Sequence, residues 1–190
     1  MRLFAAVLPP AVAVDELAAE VRELKQLPGA DGLRWTEPAG WHFTLAFMGE
    51  VPEETVPGLS ERLARAAHRT EPFPLALHGG GRFGDRALWA GASGRLDVLR
   101  RLAERADAAA RKAGIDMDRH RGYTPHLTLA RSRAAAVDLR PFVAALDGFE
   151  GGPWTVGELS LVRSHLPRGG ITGQRPRYEE VGRWPFGGAG

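Results

Sequence analysis

Apolar positions along the chain fall into two kinds of pattern, short continuous runs and stripes spaced for a helix, and the two alternate. Arg2–Leu8 is a nearly unbroken apolar run that predicts a buried strand ended by Pro9-Pro10, with Pro10 near the first turn of a helix. Leu17, Val21 and Leu24 form that helix's stripe, and Pro28-Gly29 stops it. Leu33–Trp35 reads as a short extended piece and Trp41–Met48 as a strand closed by Gly49. Val56, Leu59, Leu63 and Ala66 place a second helix over about 53–67. Phe73–Leu77 and Ala87–Ala92 read as strands around a glycine-rich turn at His78-Gly79-Gly80-Gly81. Ser93 stands where a cap would open a third helix, with Leu96, Leu99, Leu102, Ala103 and Ala106 on its stripe and Gly114 past its end. Tyr123–Ala130 is another expected strand, Leu139–Leu146 a short helix, and Thr155–Arg163 and Tyr178–Trp184 closing strands. The tail Gly187-Gly188-Ala189-Gly190 is expected to fray.

This order repeats crudely across the two halves, with no linker between them. It predicts one domain over residues 1–190, built as two pseudo-symmetric lobes of antiparallel sheet with helices outside and a central cleft, an α+β fold rather than a doubly wound parallel one.

Composition narrows the chemistry. The chain has no cysteine, which excludes disulfide frameworks, cysteine-ligated zinc, iron–sulfur clusters and thiol catalysis, and suits a reducing, cytoplasmic location. Its net charge of +2 is small, and its cations are almost all arginine, Lys25 and Lys112 being the only lysines. That permits a phosphate-bearing partner without demanding one. The apolar start after Arg2 resembles a signal peptide, but Pro9-Pro10 in its middle favour a strand. No run reaches the roughly 18 apolar residues of a membrane span.

Two segments repeat one pattern: His42-Phe43-Thr44-Leu45-Ala46 and His126-Leu127-Thr128-Leu129-Ala130. On a strand, alternate side chains share a face, so each segment offers an imidazole and a hydroxyl on one side and apolar residues on the other. Two such copies are expected by chance about 0.001 times in a chain of this composition. His68-Arg69-Thr70 lacks the apolar position and falls at a helix end, where its two side chains would not share a face.

In-line displacement at phosphorus needs a base on the attacking oxygen and an acid on the leaving one. Histidine titrates near neutrality and does either. Two lobes would bring one histidine from each side, and the threonine hydroxyls would donate to the non-bridging oxygens. No metal or cofactor is called for. Arg131 lies five residues after His126, so alternation alone puts it on the far face; a bulge near the strand end would return it to the cleft, where it would bind phosphate. Phe47, in the matching place after His42, reads as a base-stacking or a core side chain. Trp41 and Tyr123 read as cleft walls or packing, and His165 as a structural histidine. The arginines over 95–111 and 163–183 read as solvated faces that could meet an RNA backbone. The glycines of 78–84 lack the ending of a phosphate loop, and no zinc or serine-elbow pattern occurs.

The paired motifs resemble those of the 2H phosphoesterase superfamily. Arg2-Leu3-Phe4-Ala5-Ala6, Leu33-Arg34-Trp35, His42 to Pro52, Leu88-Trp89-Ala90-Gly91 and Thr124 to Arg131 resemble bacterial and archaeal RNA 2′,3′-cyclic phosphodiesterases, also described as 2′-5′ RNA ligases. The resemblance implies a bilobal fold and opening of an RNA 2′,3′-cyclic phosphate to a 2′-phosphomonoester. It implies His42 as proton donor, His126 as base, and Thr44 and Thr128 as phosphate holders; Arg131, Phe47 and Tyr123 are further substrate-contact candidates read from their own positions beside the motifs. The motifs themselves are chemically alike and leave acid and base open. RNA ends or nucleotides bearing a cyclic phosphate are the expected partners of a protein working as a monomer. Ligation, another cyclic or 2′-5′ linkage, and non-catalytic RNA-end binding are the alternatives.

Overall fold

A computed structural model describes residues 1–118, 122–133, 135–167 and 176–188. The elements run β1 (Arg2–Val7), α1 (Ala11–Leu24), β2 (Leu33–Trp35), β3 (Phe43–Glu50), α2 (Val56–His68), β4 (Phe73–Phe83), β5 (Ala87–Gly94), α3 (Leu96–Lys112), β6 (Leu127–Ser132), α4 (Arg140–Leu146), β7 (Trp154–Val156), β8 (Glu158–His165) and β9 (Arg177–Pro185). They make two antiparallel sheets, ordered β3-β1-β8-β9 and β2-β6-β5-β4-β7. The α+β expectation is met, and one continuous apolar core joins both sheets to the helices. No helix among the described residues is long and apolar enough to cross a membrane.

The sheets do not follow the halves of the chain. β1 belongs to the four-stranded sheet, whereas α1, which follows it, packs on α4 and β4 of the other. The four-stranded sheet is completed by β8 and β9 from the far end of the sequence. The expected single strand over 155–163 is two strands. Gly157 separates β7, which pairs with β4, from β8, which pairs with β1, so one stretch crosses from sheet to sheet.

Three further expectations are corrected by local packing. The glycines at 78–81 are not a turn: β4 runs through them to Phe83, and the turn follows, with Arg86 N–H donating to Phe83 O. A side chain at Gly80 would meet Leu146 Cδ1 and Trp89 O, each at 2.6 Å, so glycine lets α4 and β5 close on the sheet. Ser93 caps nothing; it lies within β5, and Arg95 precedes α3. The strand expected from Tyr123 begins only at Leu127, after Pro125, which has no N–H for a ladder. The helix ends agree better, Gly114 following α3 with a φ of 93°. In the tail, Gly187 N–H donates to Ala67 O at 3.3 Å, so its first residue is tied to α2; Ala189 and Gly190 lie outside the described residues.

Gly80→Ala is expected to lower the unfolding free energy by about 1–3 kcal/mol through overpacking. Gly148→Ala, with nothing within 4 Å of the added atom, is expected to change it little. Denaturant titration of the two variants checks both.

Candidate active site

His42 and His126 each stand one residue before a strand, β3 and β6 respectively. Each is fixed the same way. His42 Nδ1 lies 2.7 Å from Gly40 O and His126 Nδ1 lies 2.8 Å from Thr124 O, a carbonyl two residues back in both cases. A carbonyl only accepts, so both Nδ1 atoms carry hydrogen, and the proton each imidazole can gain or lose sits on Nε2.

Past the threonines both strands are bulged at the same place. Ala5 faces Ala46 and Ala6 faces Thr44, leaving Leu45 unpaired on β3; Leu88 faces Ala130 and Trp89 faces Thr128, leaving Leu129 unpaired on β6. Leu45 and Ala46 are both buried, as are Leu129 and Ala130, so alternation restarts one residue late. Phe47 and Arg131 thereby return to the face of Thr44 and Thr128. His42, Thr44, Phe47, His126, Thr128 and Arg131 line one cleft of about 450 Å³ between the sheets.

The two histidines have different neighbours. The His42 ring lies 4.5 Å from the Phe4 ring and 5.3 Å from Tyr178, which meets it edge-on. Phe4, Ala6, Val162 and Tyr178 form a small apolar cluster apart from the main core, on the cleft side of the four-stranded sheet. Burial there lowers the His42 pKa from 6.5 to about 4; the Gly40 hydrogen bond opposes the shift, and charge on His126 and Arg131 adds to it. His126 instead meets Phe83 edge-on at 4.8 Å, with Trp89 at 6.1 Å. Gly81 makes room for that tryptophan, since a side chain there would lie 2.4 Å from its ring. None of Phe4, Phe83, Trp89 and Tyr178 stands out in the sequence as a site residue. Phe4 and Trp89 lie in segments that carry the resemblance and Tyr178 opens an expected strand, where an aromatic reads equally as core, and Phe83 lies between two expected strands.

Tyr123 lies beside the cleft rather than on it. Its hydroxyl donates to Thr44 O at 2.8 Å, tying the lead-in of one motif to the backbone of the other, and burial pushes its pKa up. It lines a second cavity of about 960 Å³ that adjoins the cleft through Thr44, Phe47 and His126. Trp41 is core. His165 pairs with Glu179 at 2.7 Å across β8 and β9, and Thr70 Oγ1 donates to Ala66 O, so neither joins the cleft. Arg95, Arg111 and Arg183 are engaged by Asp97, Asp107 and Glu180, as solvated faces would be; part of 163–183 lies outside the described residues. No group of three His, Asp or Glu among the described residues could hold a metal ion. Arg2, which enters the sequence reading only as part of the opening segment and not as a site candidate, lines the cleft and stacks its guanidinium 4.8 Å above the Phe47 ring.

A family model described as the 2′-5′ RNA ligase superfamily matches residues 13–168. A protein of Geobacillus stearothermophilus named RNA 2′,3′-cyclic phosphodiesterase is 30% identical over 159 residues, 82% of this chain but 48% of its own length. One of Archaeoglobus fulgidus with the same name is 31% identical over 177 residues, 90% of this chain and 96% of its own. Among solved structures, TT0787 of Thermus thermophilus superposes with a TM-score of 0.76 at 30% identity over 100% of both chains. LigT of Escherichia coli complexed with 3′-AMP gives 0.74 at 28% identity, over 97% of each.

Two outcomes are expected. The His42 imidazole should titrate in NMR with a midpoint near pH 4. Because the unfolded chain takes up this proton near 6.5 and the folded chain does not, stability should fall as pH drops from 6.5 towards 4, and that part of the slope should vanish in His42→Gln. Tyr123→Phe, which orphans a carbonyl between the motifs, should cost about 1–3 kcal/mol of stability by denaturant titration.

Proposed function

We propose, for a chain that belongs to the 2′-5′ RNA ligase superfamily, that it is an RNA 2′,3′-cyclic phosphodiesterase opening the cyclic ester to a 2′-phosphomonoester by paired histidine acid–base catalysis. The observation that carries this reading is the facing pair of His-x-Thr strands, each with its imidazole locked by Nδ1 and its Nε2 left for proton transfer. Water attacks phosphorus and gives its proton to His126 Nε2. The bond from phosphorus to the 3′-oxygen breaks, and His42 Nε2–H protonates that oxygen. Thr44, Thr128 and Arg131 hold the non-bridging oxygens, where negative charge grows, and Phe47, half exposed with Arg2 over one face, offers its ring as a stacking surface to the base.

The low pKa of His42 gives this chemistry a particular protonation pattern. In the unliganded protein His42 is neutral at pH 7, and the anionic phosphate draws a proton onto it on binding. The competent pair shares one proton. Below the lower pKa of the pair both rings are charged and no base remains.

The kcat/KM profile is therefore expected to be bell-shaped with its acid limb near pH 4, and turnover of a cyclic-phosphate-ended RNA to survive excess chelator. His42→Ala and His126→Ala should each lose at least about a hundredfold. Phosphorus NMR of the product distinguishes a 2′-phosphate from a 3′-phosphate, which would exchange the leaving group and the donor assignment. Joined products from a cyclic-phosphate end and a 5′-hydroxyl end would favour ligation. Binding without turnover in the wild type would favour an RNA-end binder.

A further inference from the structure

Arg34 and Arg131 are register partners on β2 and β6. Side chains directly opposite on antiparallel strands lie about 4.5–5.5 Å apart at Cβ, and like charges placed there destabilise the pair. Neither guanidinium has a hydrogen-bonded or ion-paired partner among the described residues, and both are exposed. The register that opposes them is firmly held. Leu33 and Trp35 are buried on either side of Arg34, Trp35 Nε1 donates to Ala30 O, and Thr36 N–H donates to Leu129 O at the bulge itself. With its neighbours anchored inward, Arg34 has only the face of Arg131 to occupy.

That face opens into a cavity of about 390 Å³ on which Arg34, Arg131 and Arg177 stand against one carboxylate, Glu37. The cavity is continuous with the catalytic cleft, sharing Thr36, Gly40, Arg131, Pro176 and Tyr178 with it. Arg34 belongs to the outer cavity alone, one strand spacing, about 4.8 Å, beyond β6.

We propose that Arg34 and Arg131 form a second phosphate subsite, which takes the phosphodiester preceding the cyclic end, so that the preferred substrate is an RNA end of two or more nucleotides rather than a nucleoside cyclic phosphate. This rests on the reading of the cleft given above. An anion between the two guanidiniums converts a repulsive cross-strand pair into two charge-assisted forks. A chain whose terminal phosphate lies on the motif threonines carries its next negative charge into the adjoining cavity. Arg131, common to both spaces, touches both phosphates.

The test compares adenosine 2′,3′-cyclic phosphate with the dinucleotide ApA ending in the same cyclic phosphate. At low salt the wild type is expected to show kcat/KM at least about tenfold higher for the dinucleotide, the worth of a hydrogen bond to a charged group, narrowing as salt rises. In Arg34→Ala that advantage is expected to disappear while mononucleotide turnover changes by less than about twofold; Arg34→Lys, which keeps the charge but loses the fork, should recover part of it. Equal wild-type kcat/KM for the two substrates, or an equal loss on both in Arg34→Ala, would overturn the subsite. Calorimetric binding of both ligands to the doubly substituted His42→Ala, His126→Ala protein reads the subsite without turnover. A dinucleotide advantage in Kd that depends on Arg34 there, with no hydrolysis by the wild type, would keep the subsite and sink the catalytic reading. No advantage in Kd would sink the subsite.

Discussion

Phe47 and Arg131 reach the cleft because two strands miss a step at the same place. A regular strand would show His42, Thr44 and Ala46 on one side and bury Phe47; the same pattern on β6 would bury Arg131 among leucines. The bulges at Leu45 and Leu129 put two consecutive side chains into the core and deliver the next one to solvent. An arginine in the cleft without a charge in the core is the consequence. The core itself fixes the bulges, since Leu129 and Ala130 are both fully buried and a register slip of one residue would expose them.

Local geometry makes the two histidines equivalent and their surroundings make them different. Both donate Nδ1–H to a carbonyl two residues earlier, and both present Nε2. His42 then lies against Phe4 and Tyr178 over an apolar patch of the four-stranded sheet, whereas His126 stands beside exposed Phe83. Desolvation disfavours the charged imidazole, so the first ring holds a proton less readily than its chemistry alone would dictate. This inequality resides in the neighbouring strands rather than in the motifs, and it opposes the donor role proposed for His42 until a bound anion returns the proton.

This difference marks how far the sequence could be read. The paired His-x-Thr segments were legible because a period of two is a local property, visible in five residues at a time. The helices were legible from their stripes for the same reason, and Gly114 from the left-handed turn that closes α3. Bulges were not, because an unpaired residue is defined by the partner strand: Leu45 is extra only when counted against Ala5 and Ala6. The glycines of β4 looked like a turn because the ring of Trp89 and the side chain of Leu146, which need the space, come from β5 and α4. The break at Gly157 separates two sheets, and sheet membership is not written in a single stretch. Tyr123 was legible as a flanking aromatic but not as a tie to Thr44 O, a contact across 79 positions.

The interlaced connectivity bears on how such a site keeps its width. If each lobe were one half of the chain, a single hinge between β4 and β5 or thereabouts would let the cleft breathe. Here β1 and α1 go to different sheets, as do β7 and β8, and Tyr123 hydrogen-bonds across the motifs. The chain therefore passes between the sheets at several places, and the sheets share one core. Opening the cleft would have to strain these connections together and expose buried apolar surface, which costs roughly 25 cal/mol per Å². The acid–base transfer proposed for this cleft, on opposite sides of one phosphorus, would tolerate little variation in the distance between the two imidazoles. A fold whose lobes are stitched together in this way holds the two motifs in place through its own connections and its shared core.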